Sequence, residues 1–265
     1  MQPIKVMLDE ATRQFYVQTL TILNESGLPY LVGGAYAMGT LAGIERHTKD
    51  LDIFVRVTDR DRILQALASH RYHTEVTFPH WLAKAWVVEE FIDVIYSSGN
   101  GAAPVDDEWF EHAVDAELLG IPVKLCPPEE IIWSKSFVQE RERFDGADIA
   151  HLIRKSGSGF NWLRLLRRFG DHWRVLLSHI INFGYIYPGE RDVVPDWVMA
   201  ELIDRLTREL REPVSREKIC RGTLLSREQY LIDVAVWGYR DGRLEPEGGM
   251  SPESIDHWTA AIATK

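Results

Sequence analysis

A double proline, Pro127-Pro128, divides the chain into two stretches of different pattern. Proline lacks an N–H and pushes its predecessor out of the helical region, so two in a row end any element that reaches them. Before this point, short β-branched and aromatic runs alternate with helical segments. The pattern predicts helices over 10–25, 35–43, 59–70 and 107–114. It predicts strands over 29–32, 50–57, 74–78, 84–88, 91–97 and 121–125. Strands interleaved with helices imply an α/β or α+β domain built on one central sheet. Beyond the prolines, nearly everything reads as helix, over 129–143, 146–155, 162–183, 197–211, 227–238 and 252–263. Two domains follow, 1–127 and an all-helical 128–265.

Composition narrows the function classes. With 45% hydrophobic and 26% charged positions in 265 residues, the chain can bury a core and is neither disordered nor a disulfide-built miniprotein. The longest apolar stretch, 175–187, is broken by Ser178, His179, Asn182 and Gly184 and falls short of the roughly 20 residues that span a bilayer. Met1-Gln2-Pro3-Ile4-Lys5, soon followed by Asp9-Glu10, lacks the layout of a signal peptide. The expectation is a soluble cytoplasmic protein, with Cys126 and Cys220 as reduced thiols far apart in sequence. A formal charge of −10 repels nucleic acid, so contact with tRNA would need a local basic patch.

The chemistry concentrates in Leu31-Val32-Gly33-Gly34, a spacer of fifteen residues, and Asp50-Leu51-Asp52-Ile53. Alternation along a strand puts Asp50 and Asp52 on one face and Leu51 and Ile53 on the other. Two carboxylates so placed repel unless a cation lies between them, and Mg²⁺ suits carboxylates together with substrate phosphates. Asp93, a lone acid within Phe91-Ile92-Asp93-Val94-Ile95-Tyr96, is the candidate third carboxylate, since burying it unpaired would be costly. Glu89 and Glu90 replace it if the register slips by a few residues. Gly33 and Gly34, lacking Cβ atoms, would let the strand-to-helix turn approach a phosphate, with the next helix's N–H groups as donors.

Gly33, Gly34, Asp50, Asp52 and Asp93 together resemble the signature of the nucleotidyltransferases of the DNA polymerase beta superfamily. Arg46-His47-Thr48-Lys49-Asp50-Leu51-Asp52 is similar to its bacterial minimal-nucleotidyltransferase branch, which includes aminoglycoside nucleotidyltransferases and certain toxins. The resemblance covers residues 10–125 in detail; Trp133-Ser134-Lys135 and 141–152 resemble the helices that follow the core in uncharacterised members. It implies an α+β fold with a small mixed sheet flanked by helices. It also implies transfer of a nucleoside monophosphate from an NTP to an acceptor hydroxyl with release of pyrophosphate. Two Mg²⁺ ions, or Mn²⁺ in their place, would be held by Asp50, Asp52 and Asp93, with Asp93 assisting deprotonation of the acceptor. Gly33 and Gly34 would hold the triphosphate. A small molecule, a tRNA end or a protein could accept the nucleotide, and the acidic balance favours a cationic small molecule or a protein. A non-catalytic nucleotide-sensing or interaction protein with the same fold is the alternative.

Other residues carry two readings each. Lys135 reaches phosphates from the helical side or is a solvated lysine. Arg46 and Thr48 orient phosphate or support the loop that holds the acids, and His47 reads as a loop residue. Asp145 caps the next helix or serves the site with Asp148. Arg164, Arg167, Arg168 and Arg174 form the one concentrated basic stretch, either the solvated side of a buried stripe or a groove for a polyanion.

Overall fold

The computed structural model describes residues 8–44 and 50–262. It divides into two compact units, Met1–Pro127 with Asp256–Trp258, and Pro128–Ile255 with Thr259–Lys265.

The first unit begins with α1 (Glu10–Ser26), capped by Asp9, whose side chain accepts from the Thr12 N–H, and closed by Gly27 at φ 64°. Both ends follow the chemistry of helix caps: a short acid satisfies an orphan N–H, and glycine takes the left-handed position without a Cβ penalty. The elements β1 (Leu31–Val32), α2 (Gly34–Ala42), β2 (Leu51–Phe54) and α3 (Arg60–Ser69) follow. After them come β3 (His73–Phe78), β4 (Leu82–Val87), β5 (Glu90–Ile95), α4 (Asp107–Glu111), β6 (Val114–Leu118) and β7 (Ile121–Leu125). Among the described residues, seven strands form one mixed sheet in the order β3-β4-β5-β2-β1-β7-β6. The pairs β2/β5 and β1/β7 are parallel; the others are antiparallel. The sheet is larger than the sequence suggested, because Val114-Asp115-Ala116-Glu117-Leu118 adds an edge strand where no element had been expected.

The two faces of the central strands differ. Leu51, Ile53, Ile92 and Val94 are fully buried, while Asp52, Phe54 and Asp93 in the alternate positions are half-buried. Each of those buried aliphatic chains stabilises the fold by roughly 1.5–3 kcal/mol, so a one-residue slip in register would forfeit the core of the unit. Their companions on the opposite face are thereby held in place without carrying the stability themselves. That half-open face carries the acids.

The second unit contains α5 (Pro128–Lys135), α6 (Gly146–Ser156), α7 (Trp162–Phe169), α8 (Trp173–Ile186) and α9 (Asp196–Glu209). It ends with β8 (Ile219–Cys220), α10 (Leu231–Ala235), β9 (Arg240–Asp241) and α11 (Pro252–Ala260). The unit is therefore not all-helical: β8 and β9 pair in parallel as a two-stranded sheet. The helix expected over 162–183 is two helices, interrupted at Gly170, whose φ of 44° no continuing helix accommodates. The helix expected over 129–143 stops at Lys135, and that over 227–238 shrinks to five residues. Among the described residues Cys126 and Cys220 form no disulfide, and no helix is long and apolar enough to cross a membrane.

Candidate active site

Strand β1 delivers the chain into Gly33-Gly34 beside β2. The Gly33 N–H donates to the Asp52 carbonyl at 2.9 Å, continuing the β1/β2 ladder by one residue. A Cβ on Gly33 would overlap the Phe54 ring, and one on Gly34, at φ +55°, would collide with the Asp52 carboxylate. Both glycines are thus demanded by contact with β2. Their suitability for a phosphate is a separate property of the same bare backbone. Among the described residues, no side chain caps α2 at Gly33, which leaves the positive end of that helix beside Asp52.

The register then lines up charges across four strands. Asp52 on β2 is directly opposite Asp93 on β5, Asp93 is opposite Lys84 on β4, and Lys84 is opposite Glu75 on β3. Directly paired residues share a face, and neighbouring strands lie about 4.8 Å apart. It is Asp93, and neither Glu89 nor Glu90, that stands beside Asp52. Glu89 is exposed in the turn between β4 and β5, and Glu90 accepts a 3.0 Å hydrogen bond from the Thr12 hydroxyl of α1.

Lys84 was not among the residues expected from sequence. Its Nζ lies 2.9 Å from Asp93 Oδ1, and 4.4 Å from the centroid of the Phe91 ring. The contact is an ion pair without the angles of a good hydrogen bond, since the same oxygen, although buried, has no geometrically proper donor. Burial raises the Asp93 carboxyl above its ordinary value; Lys84 opposes that rise and the charge of Asp50 adds to it. The signal that could have exposed Lys84 is of the same kind as for Asp93: a single cation, Leu82-Ala83-Lys84-Ala85, inside an apolar strand.

Two tyrosines adjoin the acids. Tyr16 on α1 is fully buried, and burial, with the charges of Glu90, Asp50 and Asp52, raises its hydroxyl well above the usual tyrosine range. Tyr36 on α2 meets it edge to face at 6.0 Å, and burial pushes Tyr36 up to about 12. Among the described residues the Tyr36 hydroxyl has no hydrogen-bond partner.

Among the described residues, no group of three or more His, Cys, Asp or Glu is gathered so as to hold a metal. Asp50 and Asp52, carboxylates at the near end of β2, supply hard oxygen donors of the type Mg²⁺ prefers.

Other expected site residues fall elsewhere. Arg46 and Thr48, with His47, lie outside the described residues. Lys135 ends α5 with Nζ 2.7 Å from Asp145 and 2.9 Å from Asp148, so its charge is shared between two buried carboxylates and is not solvated. Asp145 makes no capping bond to α6. Burial pushes its carboxyl up, but Arg143 and Lys135 outweigh that and hold it below the usual range. The basic stretch is no open polyanion groove. Arg164 is 5% exposed and pairs with Glu129 at 2.7 Å and Glu130 at 3.3 Å, Arg168 pairs with Glu130, and Arg174 with Glu209. A groove of about 730 Å³ between α7 and α9, lined in part by Leu163, Leu166, Arg167 and Trp197, shares no residue with the acid row.

No family model and no curated protein matches the chain. Several solved structures match at low identity. The antibiotic-resistance factor ANT(2'')-Ia is 18% identical, covering 65% of this chain and 98% of that one, with a TM-score of 0.43. An antigenic nucleotidyltransferase-like protein from Paracoccidioides brasiliensis is 17% identical, covering 70% and 92%, also at 0.43. The lincosamide antibiotic adenylyltransferase LnuA, solved with lincomycin bound, is 17% identical, covering 53% and 94%, at 0.38. Likenesses at this level say nothing of substrate or of residue roles in this chain, which rest on the geometry above.

Proposed function

We propose that the protein is a nucleotidyltransferase that moves a nucleoside monophosphate from an NTP to the hydroxyl of an acceptor. The observation that carries this reading is the side-by-side placement of Asp52 and Asp93 on parallel strands, with a glycine turn pressed against Asp52. In this reading the acceptor oxygen bonds to the α-phosphorus, the bond from that phosphorus to the bridging oxygen breaks, and pyrophosphate leaves with the electron pair. Asp93 takes the proton from the acceptor hydroxyl, a role for which a carboxyl raised by burial is suited. Gly33, Gly34 and the uncapped start of α2 offer backbone N–H groups to the triphosphate. A divalent cation on Asp50 and Asp52, Mg²⁺ or Mn²⁺, would supply neutralisation of phosphate charge. Lys135 has no part in it, because binding a phosphate would cost it both of its carboxylate partners.

A charge of −10 supports a cationic small molecule or a protein as acceptor more than a tRNA end. The pairing of Asp93 with Lys84 favours the second reading, a protein that binds nucleotide without transferring it. One experiment separates the two. The protein is incubated with Mg²⁺, each α-labelled NTP and, in turn, aminoglycosides, pooled tRNA and cell lysate. Label appears in an acceptor if transfer occurs, and Asp52→Asn removes it. Metal-dependent NTP binding without any label transfer would establish the non-catalytic reading instead.

A further inference from the structure

Helices α7 and α9 each pack on α8 and leave an open trough between them. α9 buries Val198 and Leu202 and turns its other side outward. The groove of about 730 Å³ beside Trp197 is continued past Gly170 by a second hollow of about 670 Å³, lined in part by Arg208, Glu209 and Glu212. From Trp197 to Glu212 the trough runs about 22 Å, which matches the length of α9. Leu163 and Trp197 at its first end are 70% and 49% exposed, and a large aromatic ring beside a hollow is the kind of side chain that anchors an interface.

The charges select what can lie there. Glu201, Asp204, Arg205 and Arg208 fall within about 100° of arc on α9, in the order acid, acid, base, base. Within the chain Arg205 pairs with Glu201 at 2.7 Å and Arg208 with Asp204 at 2.9 Å. Pairs of this kind on an open helix face contribute little by themselves. Reversed, the same order is its own complement. A two-fold axis crossing between Asp204 and Arg205 sets Asp204 level with the partner's Arg205 and Glu201 level with the partner's Arg208, so that each acid lies between two guanidiniums. A polyanion would meet Glu201, Asp204, Glu209 and Glu212, and a polycation would meet Arg205 and Arg208, so neither suits the trough.

We propose that a second copy of this chain occupies the trough, its α9 antiparallel to the first about a two-fold axis between Asp204 and Arg205. Trp197 of each copy, level with the partner's Glu212, then reaches the second hollow of the other. The interface is isologous and closes at two chains. Nothing in this pairing depends on nucleotidyl transfer.

The test is reversal and rescue. The full chain is sedimented over a series of concentrations beside two variants, Glu201→Arg with Asp204→Arg, and Arg205→Glu with Arg208→Glu, each checked for folding by circular dichroism. The natural chain should sediment as a dimer. Each variant opposes like charges across the axis, so its dissociation constant should rise about 100-fold or more. Mixed in equal amounts, the two variants should dimerise again, because the acids of one copy now face the bases of the other. A weakened helix or an interface elsewhere on the molecule would give no such recovery. A natural chain that stays monomeric at every concentration, dimers that survive both reversals, or variants that remain apart when mixed would each overturn the pairing. So would a different protein or a nucleic acid that co-purifies with the chain and is released by these substitutions. Should either variant fail to fold, the single reversals Asp204→Arg and Arg205→Glu, mixed in the same way, decide.

Discussion

The charged clusters of the two units are built on opposite principles. In the helical unit Glu129 and Glu130 meet Arg164 and Arg168, and Lys135 meets Asp145 and Asp148; nearly all of these groups are buried and each acid has a cation against it. In the sheet unit Asp93 pairs with Lys84 and stands beside Asp52 on a half-open face. A closed and balanced cluster is scaffold, since every charge taken from water has been compensated within the fold. An acid row on a half-open face stays within reach of solvent and ligand. That contrast, more than the presence of acids as such, separates a candidate site from a structural network.

The largest effect expected is on transfer. Asp93→Asn removes the proton acceptor while keeping shape, so the rate should fall by about 10²–10⁴-fold with unchanged thermal unfolding. Loss of folding together with loss of rate would put Asp93 in the same class as the helical cluster and break the comparison. Next is Arg164→Met, which leaves Glu129 and Glu130 buried without their main partner. Denaturant unfolding should show a loss of about 3–5 kcal/mol, with metal binding per folded molecule unaffected. Gly34→Ala is intermediate. Its Cβ meets the Asp52 carboxylate at a positive φ, a strain of about 1–3 kcal/mol, and nucleotide binding should fall further than stability does.

The smallest effect is a pH dependence. Burial raises the Glu130 carboxyl to about 7, with Arg164 and Arg168 opposing the rise. An acid whose folded value exceeds its unfolded one binds its proton more tightly in the native state. Its contribution to stability is therefore full below about 4.5 and is lost as pH rises through about 7. The unfolding midpoint of the helical unit should drop between pH 5 and pH 8, and Glu130→Gln should flatten that slope. A slope unchanged in Glu130→Gln would assign the titration to another group.

Much of the sheet unit was legible because its signals are local. Alternation in Leu51-Asp52-Ile53-Phe54 and in Ile92-Asp93-Val94 told which residues would be buried, and both runs form strands with that burial. The helix expected over 10–25 forms as α1, Glu10–Ser26, with Asp9 and Gly27 as its caps. The helical unit was read less well. An arginine such as Arg164 looks solvated in sequence, and only partners thirty-four and thirty-five positions upstream explain its burial. The β8/β9 pair depends equally on contacts between distant segments. Lys84 was missed for the related reason that a lysine in a strand has no local property that reveals its cross-strand neighbour.

By itself, then, the sequence determined which side chains alternate, where the central elements of the sheet unit lie, and that acids follow a glycine pair. These depend on backbone sterics and on the period of burial, which act within a few residues. Tertiary structure alone decided that Asp93 stands beside Asp52, that Lys84 answers it, and that Arg164 and Arg168 of α7 turn inward. Those outcomes depend on strand register and on desolvation, which exist only once segments far apart in the chain have packed together.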